Sequence, residues 1–133
     1  MAEQSFQSHA HHPQATYLAA AHVLDQLGVG YLHIAEADWE DAPVMPVAFK
    51  EALRITYRGT LIYAGKYTLA RAEEALANGW ADLIGFGRPF IANPDLPQRL
   101  RAGAVLNEPD RATYFGGGVE GFTDYPVLED AEA

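Results

Sequence analysis

Apolar positions along the chain alternate between two patterns, one with a helical period and one without. Between Ala15 and Leu27 the residues Tyr17, Leu18, Ala21, Leu24 and Leu27 recur at spacings of three and four, and Gly28 follows as a stop signal, which predicts an amphipathic helix. The run Val29 to Ile34 is too short for a second helix and suits a buried strand, after which Ala35 to Trp39 leads into a polar loop. The same alternation then repeats. Pro43 and Pro46 punctuate a loop, Val47 to Tyr57 aligns Phe49, Leu53 and Tyr57 on one helical face, and Gly59 separates that helix from a strand over Thr60 to Ala64. Gly65 ends the strand, Thr68 is placed to cap a third helix, and Asn78-Gly79 terminates it. A third apolar run, Leu83, Ile84 and Phe86, stops at Gly87-Arg88, and Pro89 opens a helical turn. Asn93-Pro94-Asp95 reads as a turn and cap ahead of a short helix from Leu96 to Ala102, closed by Gly103. The loop Tyr114 to Gly118 and an acidic end complete the chain.

Nearly continuous apolar strands in βα units of about thirty residues argue for a parallel sheet covered by helices. A doubly wound sheet and a piece of a (β/α)8 barrel both fit. Glu36 to Trp39, Gly65-Lys66 and Gly87-Arg88 each follow a strand. In a barrel that spacing gathers them on the face where such folds carry their active sites and often bind phosphate. Glycine permits close approach to the backbone and arginine offers a rigid fork of donors, so Gly87-Arg88 reads as a phosphate-binding corner. A strand ending in a loop with a solvated arginine fits the same two residues.

Composition narrows the classes of function. A chain of 133 residues with 49% hydrophobic content suits one small domain with a core. Nine basic against 18 acidic residues leave a formal charge of −9, which disfavours nucleic acid or an anionic membrane as partner. The absence of cysteine removes disulfides and thiolate metal sites. No apolar run reaches membrane-spanning length and residues 1–13 lack a signal-peptide core, so the expectation is a soluble cytoplasmic protein. Residues 1–13 read as a disordered polar lead-in whose His9, His11 and His12 lack the spacing of a built metal site, and 127–133 as an acidic tail.

Five segments, YLHIAEADW (31–39), LIYAGKYT (61–68), LIGFGRPFIANPDLPQRL (83–100), LN (106–107) and YFGGGVEGFTDYP (114–126), resemble the old yellow enzymes, the FMN-dependent ene-reductases that include N-ethylmaleimide reductases. They occur in the family's order over Ala15 to Pro126. The resemblance implies a partial TIM barrel of about three βα units over residues 14–126, corresponding to strands six to eight. It further implies that Ala64, Gly65, Lys66, Gly87 and Arg88 hold the FMN phosphate, that Tyr114 packs near the benzenoid edge of the flavin, and that Trp39 matches an aromatic lining the substrate pocket in a subset of the family. In the family NADH or NADPH reduces FMN, which passes a hydride to an activated alkene. A His/His or His/Asn pair binds the activating group and a Tyr commonly protonates the product. Those residues lie on earlier strands, so no catalytic role transfers to His33 or Tyr63, which sit inside strands.

A partial barrel leaves two unpaired sheet edges and exposes side chains that fill a barrel's interior. The expectation is therefore an FMN-binding portion of an ene-reductase, inactive without the missing strands. It is stabilised by FMN, by self-association or by a complementing barrel half. The alternative is a non-catalytic remnant or assembly module using the exposed strand edges. A half-barrel isomerase with another phosphate ligand is a third reading, one that leaves IANPDL and GFTDYP without a role.

Overall fold

The computed structural model describes residues 13–38, 42–116 and 118–128. Three strands, β1 (Tyr31–Ala35), β2 (Thr60–Ala64) and β3 (Leu83–Gly85), form one parallel sheet in the order β1-β2-β3. Helices α1 (Pro13–Gln26), α2 (Val47–Thr56) and α3 (Leu69–Ala77) precede the successive strands, and two short helices follow β3, α4 (Arg88–Ala92) and α5 (Leu96–Ala102). A 3-10 turn covers Arg111–Thr113.

The register sets which side chains share a face. Leu32, Leu61 and Ile34, Tyr63, Ile84 lie in rows on the helix-covered face, while His33, Ile62, Leu83 and then Ala35, Ala64, Gly85 form rows on the other. Burial follows this division, because Leu61 and Tyr63 are buried with Phe49, Leu53 and Tyr57 of the α2 segment and Ala72 and Ala75 of α3. On the opposite face Tyr31 and Leu83 are more than half exposed. This open face agrees with the expectation that a partial barrel exposes side chains from a barrel's interior.

Local chemistry explains most boundaries. The Thr68 hydroxyl accepts from the Arg71 N–H and caps α3, and Gly103 adopts the left-handed conformation that closes α5. Gly59 is required by packing, since a Cβ there would lie 2.5 Å from the Tyr57 hydroxyl oxygen. That hydroxyl in turn donates to the Val29 carbonyl across the start of β1. At the same end of the sheet Asp82 accepts from the Leu61 N–H at 2.8 Å and from Arg54 at 2.7 Å, tying β2 to the entry of β3.

Three expectations are corrected. The first strand begins at Tyr31, because residues 27–29 close α1 through N–H bonds to Val23, Asp25 and Leu24. The helix begins at Pro13, inside the segment expected to be a lead-in, and its apolar stripe is only partly covered. Ala21 is buried against the core, whereas Tyr17 and Leu27 are exposed. Asp95 precedes α5 without capping it, because its carboxylate takes Arg99 Nε at 2.8 Å and the Leu128 N–H at 2.5 Å. Asn93, fully buried, exchanges hydrogen bonds with Asn107, and Arg99 reaches the carbonyls of Val105 and Pro126. The predicted segments around IANPDL, LN and DYP are thus stitched to one another. Residues 1–12, including the three clustered histidines, and 129–133 lie outside the described residues. Among the described residues no helix is long and apolar enough to cross a membrane.

The carboxylates at these ties set an acid limit. Hydrogen bonding from Arg58 holds Asp25 below the usual range, the Leu61 N–H and then Arg54 do so for Asp82, and the Leu128 N–H with Arg99 does so for Asp95. A depressed folded-state pKa contributes stability above the unfolded value, about 3.9 for Asp, and loses it as pH falls through the folded value. The contribution from these three groups is accordingly constant between pH 7 and about 5 and declines below about 4. Thermal melts across that range should show a midpoint falling below pH 4, and a midpoint that rises there would contradict these assignments.

Candidate functional site

Parallel pairing brings the carboxyl ends of all three strands to one end of the sheet, and the residues just past them surround a cavity of about 580 Å³. Its lining includes Glu36 and Asp38 after β1, Gly65 and Lys66 after β2, and Gly87 and Arg88 after β3. The last row of the open face, Ala35, Ala64 and Gly85, is small throughout, and Ala35 and Ala64 of that row border the cavity.

The turn after β2 is shaped by contact with the end of β1. Gly65 has φ +155°, and a Cβ on it would stand 3.1 Å from the Cβ of Glu36, closer than ordinary packing allows. The Glu36 N–H donates to the Ala64 carbonyl at 2.8 Å, extending the ladder one residue, and the Tyr67 N–H folds back onto the Gly65 carbonyl at 2.9 Å.

Beneath this turn the Glu36 carboxylate is buried among donors. The Tyr67 hydroxyl donates to its Oε1, Lys50 Nζ lies 3.4 Å from the same oxygen, and Arg71 Nη2 donates to Oε2 at 2.5 Å. Lys50, itself buried, is surrounded by the rings of Tyr63, Tyr67 and Trp80 at 5.5–5.9 Å from their centroids. Arg71 stacks on Tyr67 with its guanidinium carbon 4.2 Å from the ring centroid, and its Nη1 donates to the Lys66 carbonyl at 3.2 Å. Burial, and then the bond to Glu36, push the Tyr67 phenol far above its ordinary value, so it stays a donor at neutral pH. Burial followed by the nearby Glu36 charge raises Tyr63 to about 12.

At the mouth, Arg88 Nη1 pairs with Asp38 Oδ2 at 3.0 Å, both side chains being about half exposed. Arg88 also lines an adjoining cavity of about 520 Å³ with Gly87, Ile91, Arg111, Tyr114 and Phe115. Tyr114 and Phe115 meet there edge to face, with centroids 6.3 Å apart. The structure therefore brings Ala64, Gly65, Lys66, Gly87 and Arg88 to one cavity and places Tyr114 on the next, joined to the first through Arg88. Trp39 lies outside the described residues. His33 stands on the open face with its Nε2 toward Gly85, and Tyr63 is buried on the helix side.

Sequence reasoning grouped Glu36 to Trp39 with the other residues that follow strands but gave neither Glu36 nor Asp38 a role, and it named neither Arg71 nor Arg111 as a site residue. A carboxylate immediately after an apolar strand was the available signal for Glu36. Its partners Lys50, Tyr67 and Arg71 lie far along the chain, the last two 31 and 35 residues away, and left no local pattern.

Chemically the arrangement suits an anion. It combines close backbone approach at two glycines, a guanidinium at the rim and a lysine beside it. The opposing carboxylate of Asp38 already occupies one side of the guanidinium.

Comparison with known proteins adds the lineage. The model of the NADH:flavin oxidoreductase / NADH oxidase family matches residues 2–107. The chain is 42% identical over 119 residues to a 12-oxophytodienoate reductase-like protein of Solanum lycopersicum, covering 88% of this chain and 31% of that protein. It is 37% identical over 120 residues to 12-oxophytodienoate reductase 2 of Arabidopsis thaliana, covering 88% and 32%. Among solved structures it superposes on morphinone reductase with a TM-score of 0.85 at 46% identity, covering 92% of this chain and 33% of that one. The old yellow enzyme homologue from Zymomonas mobilis gives a TM-score of 0.78 at 34% identity, covering 89% and 34%. The chain thus spans about a third of the length of these relatives. With the family's pattern matched over most of its residues and its strands superposing on solved members, the chain belongs to the NADH:flavin oxidoreductase / NADH oxidase family, that of the old yellow enzymes.

Proposed function

We propose that this chain is the FMN-phosphate-binding part of a flavin oxidoreductase that reduces activated alkenes with NAD(P)H as hydride donor, its three strands corresponding to strands six to eight of the barrel. The observation that carries the reading is the convergence of Gly65, Gly87 and Arg88, from successive strand ends, on one cavity. The bare backbone at Gly65, where a Cβ would crowd Glu36 at 3.1 Å, and the fork of Arg88 suit a phosphate monoester. Relatives named as 12-oxophytodienoate reductases and morphinone reductase support a reductase.

When bound, FMN supplies the redox chemistry between nicotinamide and alkene. Arg88 would neutralise phosphate charge, Lys66 would add positive potential, and the Ala64–Gly65 and Gly87 backbone would admit the phosphate oxygens. Tyr114, on the cavity that shares Arg88, would contact the flavin, and Trp39 would contribute to the substrate pocket. No catalytic residue is assigned within the chain. In this reading the pair that binds the activating group and the proton donor come from other strands of the barrel, and the assembled enzyme works in the cytoplasm.

Fluorescence titration of the chain with FMN and with riboflavin, which lacks the phosphate, tests the reading. FMN should bind more tightly. Arg88→Ala should weaken FMN by about 1–2 kcal/mol, the range for a charged hydrogen bond at a half-exposed site, and leave riboflavin unchanged. Equal binding of the two flavins by the unsubstituted chain would overturn it. Asp38→Asn removes the carboxylate that competes for Arg88 and should tighten FMN several-fold, whereas weaker FMN binding would show that Asp38 instead orients the guanidinium.

A second reading, assembly through the open sheet, is favoured by the exposure of Tyr31 and Leu83 on the edge strands β1 and β3. Light scattering after size exclusion should then find a mass above the monomer's, reduced by Leu83→Lys. A monomer that retains FMN would exclude self-association.

A further inference from the structure

We infer that Glu36 is the positioning residue of the anion cradle, acting through Arg71 on the turn that follows β2. This inference rests on the phosphate reading and adds the device that keeps the cradle in shape.

Glu36 touches the turn in two ways. Its backbone and Cβ form the wall against which Gly65 packs, with the Cβ position of Gly65 3.1 Å from Glu36 Cβ and 3.4 Å from its carbonyl oxygen. Its carboxylate binds Arg71 at 2.5 Å, and the other arm of the same guanidinium binds the Lys66 carbonyl at 3.2 Å. The Tyr67 hydroxyl, from the last residue of the turn, donates to the remaining oxygen. Lys66, through Arg71, and Tyr67, directly, are therefore held by one carboxylate, and the Arg71 fork spans the gap in a geometry an ammonium group would not reproduce.

Burying an ion pair is not in itself a route to stability, since an apolar cluster of similar volume serves as well or better. The cost of burying Glu36 is instead matched by partners drawn from α2, α3 and the turn, all converging under the cavity floor. A shape function and a charge function predict opposite signs here. Through its charge alone a carboxylate this near an anion site disfavours anion binding, so neutralising it would tighten FMN. As a positioning group, its loss lets the turn relax and weakens FMN.

The test measures the ratio of FMN to riboflavin affinity in the full chain for four variants, with thermal melts to confirm folding. Glu36→Gln should lower FMN affinity about tenfold, the scale of one lost buried charged bond, with riboflavin unchanged. Arg71→Lys, which keeps the charge and loses the fork, should lower the ratio in the same direction and serves where Glu36→Gln does not fold. Asp82→Asn cuts a tie of similar kind at the opposite end of the strands and should lower the melting point while leaving the ratio intact. Arg88→Ala reports on the phosphate reading itself. If Arg88→Ala removes the FMN preference while folded Glu36→Gln or Arg71→Lys keeps or increases it, the positioning role is overturned and the phosphate reading stands. If the unsubstituted chain shows no preference for FMN, both fall together.

Discussion

Everything distinctive about this chain depends on the parallel, in-register pairing of its three strands. Parallel strands point their carboxyl ends the same way, so the residues following each must share one rim, and the crossover helices must lie on one face. Here the register ends in the row Ala35, Ala64 and Gly85. Small side chains in that row leave room above it, and the chemistry-bearing residues stand just beyond. One slip of register would turn Leu61 and Tyr63 out of the core and put their neighbours at the rim.

The two ends of the sheet are held differently. At the amino end, Asp82 with Arg54 and Leu61, and Tyr57 with the Val29 carbonyl, are local ties that fix strand entry. At the carboxyl end a single buried carboxylate collects cations from two helices and a phenol from the turn. A stabilising role accounts for the first arrangement. The second coincides with the cavity and with Gly65, whose positive φ and close approach to Glu36 favour a residue without a side chain.

Much of the fold was legible because its punctuation is local. Gly28, Gly59, Gly65, Asn78-Gly79 and Gly103 mark element ends at or within a few residues of where the structure has them, and Thr68 caps α3 through its own hydroxyl. Asp95 shows the limit of such reasoning. Its place before a helix suggests a cap, yet Arg99 one turn later and Leu128 far along the chain compete successfully for its oxygens. The stripe on α1 was likewise readable as amphipathic, while its actual cover, chiefly at Ala21, depends on α2. The corner at Gly87-Arg88 could be found from the end of an apolar run. The place of Glu36 after an apolar strand was visible too, but its role was not, because a buried carboxylate declares itself through partners that only folding brings near. The Asp38 pairing to Arg88 was hidden for the same reason, and it changes the chemistry of the corner from a free guanidinium to one shared with an acid.

The central claim is that the strand ends receive a phosphate and not merely a flat aromatic ring. Phosphorus NMR of FMN titrated with the chain tests it at the atom concerned. The account predicts that the phosphorus resonance shifts on addition of the chain and that Arg88→Ala diminishes the shift at a given concentration. A phosphorus signal that stays unmoved while the flavin ring protons respond would contradict it.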